Sequence, residues 1–152
     1  LYPLETIRHS AAHVLAQAVQ KLFPNAGLGI GPAIQDGFYY DFELPRSLTE
    51  EDLKVIEKEM KRIIKEKQIF TQYNLNRIET EEKLLATKQN LKIELVNDLN
   101  LDEYSFFKNG TFVDLCRGPH VEKTNQIGAF KLLRVSGAYW RGSEKNAMLQ
   151  RI

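Results

Sequence analysis

The sequence predicts an α+β fold in which a largely antiparallel sheet packs around a central amino-terminal helix, with one additional amphipathic helix. Three observations lead there. Residues 5–23 carry apolar side chains at helical spacing, residues 47–68 repeat that spacing behind a capping signature, and the strand-like remainder is joined by short turn signals without a regular strand-helix-strand rhythm. With 152 residues, 43% of them hydrophobic and 27% charged, the chain is long enough for one domain with its own core. It begins at Leu1 and stops at Ile152 without a turn signal, so residues 1–152 read as one domain excerpted from a longer, multidomain chain.

In the first helix, Ile7, Ala11, Val14, Leu15, Ala18 and Leu22 fall on one stripe at about 100° per residue, and Pro24 ends the run. His9 and His13 lie on the other side of the wheel, about 40° apart, flanked by the small residues Ala12 and Ala16. That face suits a cleft or the close approach of a sheet. Next, Asp36 and Gly37 form a turn signal, and Phe38, Tyr40 and Phe42 alternate with Tyr39, Asp41 and Glu43, which predicts a hairpin. The glycines at 27, 29 and 31 match no phosphate-loop spacing and read as strand and turn residues.

Thr49 followed by Asp52 reads as the cap of the second helix, with Leu53, Ile56, Met60, Ile63 and Ile64 on its apolar face. Its charges alternate in sign four residues apart, Glu50 with Lys54 and Glu57 with Lys61, as on a solvated face. A strand over 69–75, a short helix over 80–87, and an apolar stretch at 91–96 follow; a lysine there, Lys92, reads as a solvated strand-edge charge. The last third reads as sheet, with an Asn109-Gly110 turn and a second alternating segment over 129–142.

A single cysteine excludes an internal disulfide, and no apolar run approaches the ~20 residues that cross a bilayer, so a cytoplasmic location without membrane contact is expected. The net charge of +1 conceals an asymmetry: residues 108–152 carry +5 and the first 107 carry −4. A basic segment containing Phe130, Tyr139 and Trp140 is compatible with a phosphate-backbone partner.

Every histidine and cysteine belongs to one of two pairs with the same spacing, His9 with His13 and Cys116 with His120. Four such groups match in number and kind the donors of a tetrahedral zinc ion. The second pair contains Gly118 and Pro119 and so lies on a turn.

The stretches around these pairs, HSAAHVLAQAV (9–19), IGPAIQDGFYYDF (30–42), VDLCRGPHV (113–121) and SGAYWRGSEKNAMLQRI (136–152), resemble the editing domain of bacterial-type threonyl-tRNA synthetases, which is related to that of alanyl-tRNA synthetases. The resemblance implies hydrolysis of the ester in serine-charged threonine tRNA. A pocket built for threonine rejects serine only by one methyl contact, about 1–3 kcal/mol, so a second site must discriminate. It implies site residues at His9, His13, Cys116 and His120, with Lys92, Tyr40 and Asp114 beside them. His9 would act near the leaving ribose hydroxyl, and Lys92 would position water or stabilise charge. Asp114 would hold the substrate's ammonium or its hydroxyl, or else only pair with Arg117 or cap a turn. Tyr40 would shape the pocket, contact the terminal adenosine, or simply pack in the core. The same four positions look like a zinc site in alanyl-type relatives, whereas the threonyl resemblance points to metal-independent water attack. No cofactor is therefore required, and zinc binding is expected when the ion is supplied. The expected partners are the 3′ end of seryl-tRNA(Thr) and the rest of the synthetase, and the isolated domain is expected to be monomeric. Two other readings fit the residues: a non-catalytic module that grips the tRNA acceptor arm, and a structural zinc domain.

Overall fold

The computed structural model describes all 152 residues, Leu1–Ile152. Helix α1 (Leu4–Leu22) is the centre of the fold, and its burial extends well beyond the expected stripe. Ser10, Ala11, Ala12, His13, Val14, Leu15, Ala16, Ala18 and Val19 are all buried, whereas Leu22, at the end of the stripe, is exposed. Four alanines on α1 let neighbours approach its backbone from several sides. One neighbour is α2 (Glu50–Lys65), held at its start by a reciprocal cap: Thr49 Oγ1 accepts from the Asp52 amide at 3.2 Å, and Asp52 accepts from the Thr49 amide at 2.8 Å. Leu53, Ile56, Met60 and Ile63 of α2 are buried in the main core with α1, while Ile64 is only half-buried. On the outer face Lys61 pairs with Glu57 as expected, but Lys54 reaches Glu51 rather than Glu50.

All strand pairs are antiparallel, but they form three small sheets rather than one. Strands β1 (Gly27–Leu28), β4 (Asp41–Glu43), β9 (Met148–Arg151) and β8 (Ser136–Tyr139) make the first, in that order. Strands β2 (Ala33–Ile34) and β3 (Gly37–Phe38) make a short ribbon against α1, anchored by the Arg8 guanidinium donating to the carbonyls of Ile34 and Gln35 at 3.1 and 2.7 Å. Its turn is Gln35-Asp36, one residue earlier than expected. The chain then leaves the ribbon, and β4 pairs with β1 and β9.

The third sheet is β5 (Thr71–Asn76), β6 (Glu103–Asn109) and β7 (Phe112–Leu115). The β6–β7 register sets Asn109 opposite Phe112, so Gly110 and Thr111 form the loop, with Gly110 at φ 57°. Helix α3 (Arg77–Ala86) and helix α4 (Asn90–Leu99) cover this sheet through Leu84, Val96, Tyr104 and Phe106.

Two sequence expectations are corrected. Residues 91–96 are helical, not strand-like, and Lys92 is buried at 4% exposure. A six-residue stretch with four apolar residues fits either periodicity; here the Gln89 side chain ties the start of α4 to the amino-terminal segment, accepting from the Leu28 amide at 2.8 Å and donating to Ala26 O at 3.3 Å. Likewise only Ser136–Tyr139 of the segment 129–142 is strand. The alternation before it reflects packing across α2, where the Leu132 side chain is buried, its amide donates to Glu57 at 2.9 Å, and Leu133 faces outward.

Candidate functional site

Four segments distant in sequence converge on one cavity of about 530 Å³. Helix α1 contributes His9 and His13, the β3–β4 connection Tyr40, α4 Lys92, and the end of β7 with the following turn Asp114 and Cys116. Six of the seven predicted site residues line this space, and the seventh, His120, stacks on His9 with ring centroids 4.5 Å apart. Ile30, Leu95, Leu99 and Leu101 supply an apolar wall that the sequence reading did not assign to the site.

One polar group is centred on Asp114. Tyr40 donates its hydroxyl to Asp114 Oδ2 at 2.6 Å, and Lys92 Nζ lies 3.4 Å from Asp114 Oδ1 and donates to Leu115 O at 3.4 Å. All three side chains are nearly inaccessible, so Asp114 is satisfied by Lys92 and Tyr40 rather than by Arg117. Burial first, and then the Asp114 charge, holds the Tyr40 phenol well above its usual range, so it acts only as a neutral donor. Gly31 makes this placement of Tyr40 feasible, since a Cβ there would lie 2.1 Å from the phenol ring.

The second group surrounds Cys116. Its Sγ is 3.3 Å from His9 Nε2 and 3.4 Å from His120 Nε2, and it accepts the Gly118 amide at 3.2 Å. Burial pushes the thiol up to about 11, so it carries its proton at neutral pH. His9 Nδ1 lies 3.2 Å from Pro119 O; a carbonyl only accepts, so Nδ1 carries a proton and donates, and Nε2 faces the thiol and the cavity. Ser10 Oγ lies 3.0 Å from His120 Nδ1 and accepts the Val121 amide at 3.0 Å, fixing the turn that returns His120 to the helix. Gly118, at φ 75°, is required in that turn: a Cβ would lie 2.6 Å from the Phe107 ring.

His13 is turned away from the other three donors. Its Nε2 donates to Asn109 Oδ1 at 2.7 Å, and the Asn109 amide donates in turn to Gln17 and Gln68 at 2.6 and 2.9 Å. Burial lowers the His13 pKa to about 4, so this imidazole is neutral. The sequence marks Asn109 only as a turn residue. The signal that would have found it is Gln17, which continues the stripe of His9 and His13 four residues further along the helix.

Comparison with known proteins adds to this geometry. The family described as "Threonyl and Alanyl tRNA synthetase second additional domain" matches residues 104–152, which include Asp114, Cys116 and His120. A threonine-tRNA ligase of Dehalococcoides mccartyi is 52% identical over 149 residues, covering 98% of this chain and 25% of that protein. Those of Acetivibrio thermocellus and Clostridium acetobutylicum are 52% and 53% identical, each covering 97% of this chain and 24% and 23% of the relative. Over nearly its whole length the chain is homologous to a segment of threonyl-tRNA synthetases, and its residues 104–152 match the second additional domain that these share with alanyl-tRNA synthetases. It spans about a quarter of the length of these relatives. In this chain no helix is long and apolar enough to cross a membrane.

For a metal ion, the domain offers three converging donors, His9, Cys116 and His120, with ligand atoms within 4.8 Å of one another, rather than four. A tetrahedral zinc ion would set a sulfur and a nitrogen ligand about 3.6 Å apart, close to the two distances at Cys116. The imidazole planes fit less well. An ion lies in the plane of each ring that binds it, and these rings are stacked with 18° between planes, so one must rotate before both nitrogens meet one ion. The donor set can hold a metal; it does not form the closed four-ligand site of a structural zinc domain.

Proposed function

We propose that this domain hydrolyses the ester of serine-charged threonine tRNA. The observation that carries the reading is the convergence of His9, Lys92, Asp114 and Cys116 on one apolar-walled cavity, together with homology to a segment of threonyl-tRNA synthetases. Hydrolysis adds a water oxygen to the ester carbonyl carbon and breaks the bond from that carbon to the ribose oxygen; the proton lost by water ends on the ribose hydroxyl. His9 is suited to move that proton, because Pro119 holds its Nδ1 proton and leaves Nε2 free as an acceptor near the thiol. Lys92, fixed by Asp114 and Leu115 O, supplies positive charge where the carbonyl oxygen gains negative charge, or holds the water. Asp114 engages two partners yet retains acceptor capacity for the substrate's ammonium or hydroxyl. Tyr40 shapes the wall. His13 is kept neutral and oriented by Asn109.

No metal is required in this scheme. A zinc ion on His9, Cys116 and His120 would act as a Lewis acid, but it would also occupy the His9 lone pair. A cavity with room for serine and not for the extra methyl of threonine provides the second discrimination that binding alone cannot reach. The partners of this reading are the tRNA 3′ end and the remainder of the synthetase, which would deliver it.

The test is hydrolysis of seryl- and threonyl-tRNA(Thr) by the full-length protein carrying this chain, beside His9→Ala and Lys92→Ala. Rapid loss of serine, slow loss of threonine and at least a hundredfold fall in both variants are expected. Equal hydrolysis of serine in wild type and variants would assign the chemistry elsewhere and favour a module that only grips tRNA.

A further inference from the structure

We propose that a second cavity, bordered by Tyr39, Tyr139 and Arg141, binds the nucleotide that precedes the 3′-terminal adenosine of the aminoacyl-tRNA. This rests on the deacylase reading. The cavity measures about 560 Å³ and shares Ile30 and Leu95 with the first. Its far wall is the segment 137–142, whose aromatic and basic residues the hydrolytic site leaves unused.

Helix α4 sets the direction. Lys92, Leu95 and Asp98 are three residues apart and lie along one face of the helix. Lys92 stands among the reacting groups, Leu95 belongs to both cavities, and Asp98 pairs with Arg141 at the second. An ester placed against His9 and Lys92 therefore sends its nucleoside toward the apolar boundary at Ile30 and Leu95. The covalently attached preceding nucleotide then enters the adjoining space.

The lining suits a base. Tyr139 is 41% exposed although its neighbour Trp140 is buried, with the indole donating to Glu94 of α4 at 2.9 Å and fixing the turn in place. The Arg151 guanidinium stacks on the Tyr39 ring, 3.9 Å from its centroid. Arg141 takes φ 57°, a conformation that non-glycine residues rarely adopt and that is concentrated at ligand-binding sites. Because Asp41 and Asp98 compensate Arg151 and Arg141, these groups present flat stacking surfaces more than free charge. The recognition is accordingly aromatic and tolerant of base identity.

The test uses the full-length protein and two minimal substrates, the serine 3′-esters of adenosine and of cytidylyl-(3′→5′)-adenosine. Wild type is expected to favour the dinucleotide ester in kcat/KM by about tenfold, as one stacked base provides. Tyr139→Ala should bring that ratio near one, and Tyr139→Phe, which keeps the ring, should restore it. If wild type hydrolyses both esters equally, or if Tyr139→Ala keeps the wild-type ratio, the subsite is refuted while the deacylase reading stands, and this face is left for contact with the rest of the polypeptide. If neither ester nor seryl-tRNA is hydrolysed, the deacylase reading fails and the subsite falls with it.

Discussion

Replacing Lys92 by methionine keeps most of the side-chain volume and removes the ammonium that faces Asp114 at 3.4 Å, with both groups about 95% buried. At that separation, and with an effective dielectric constant of about 20, the attraction is about 5 kcal/mol. Desolvation offsets much of this for the intact pair, but a carboxylate left buried without its cation loses the attraction and retains the desolvation; such truncations cost about 3–5 kcal/mol. Tyr40 still donates to Asp114, which favours the lower end. For a chain of this length a loss of about 3 kcal/mol lowers Tm by about 10 °C. Thermal unfolding of this chain, followed by circular dichroism, should show that drop for Lys92→Met, a comparable one for Asp114→Leu, and a smaller loss in the double variant than the two single losses combined. A double variant whose loss equals the two added together would mean that the groups do not interact, and a Tm change below about 3 °C in Lys92→Met would refute the burial argument.

Three further outcomes are expected. Zinc titrated into this chain and followed by calorimetry should bind in wild type and His13→Ala but not in Cys116→Ala, and binding should suppress seryl-tRNA hydrolysis while chelators leave it intact; retention of binding in Cys116→Ala would refute the three-donor set. Gly118→Ala should destabilise the chain by about 1–3 kcal/mol, read as a lower midpoint in urea, because φ 75° is left-handed and the new Cβ meets Phe107; an unchanged midpoint would count against the turn geometry. Arg46 and then the Thr49 amide hold the Asp52 carboxylate well below its usual range. A depressed folded value contributes stability that is present above the unfolded value, about 3.9, and is lost as pH falls through the folded one, so the Tm gap between wild type and Asp52→Ala should be full at pH 7 and close with acidification, whereas a pH-independent gap would show that the cap works without charge.

Much of the fold was legible because local and tertiary preferences agree. The apolar spacing of α2 picks out its four buried residues, that of α1 picks out only part of what the helix buries, and the Thr49–Asp52 cap forms as its spacing implies. The α4 segment was not legible, because its helix is secured by Gln89 reaching across to Leu28, a contact invisible to a local window. In the site, the matching spacing of the two pairs suggested a shared location without placing one pair against the other; the fold sets Cys116 beside His9 and His120. Spacing failed for His13, since a rotation of about 40° on the helix directs that ring toward Asn109. The burial of Lys92 was likewise unreadable from its neighbours; only the family resemblance placed it in the site.

The meeting of His9 with Cys116, 107 positions later, also sets an order of events during synthesis. Translation delivers α1 first, and His9 has neither Cys116 nor His120 beside it until the β6–β7 hairpin and the turn after it have left the ribosome. The cluster of His9, Cys116 and His120 is thus withheld from every shorter nascent chain, and its appearance reports that the first and last thirds of the chain have found each other.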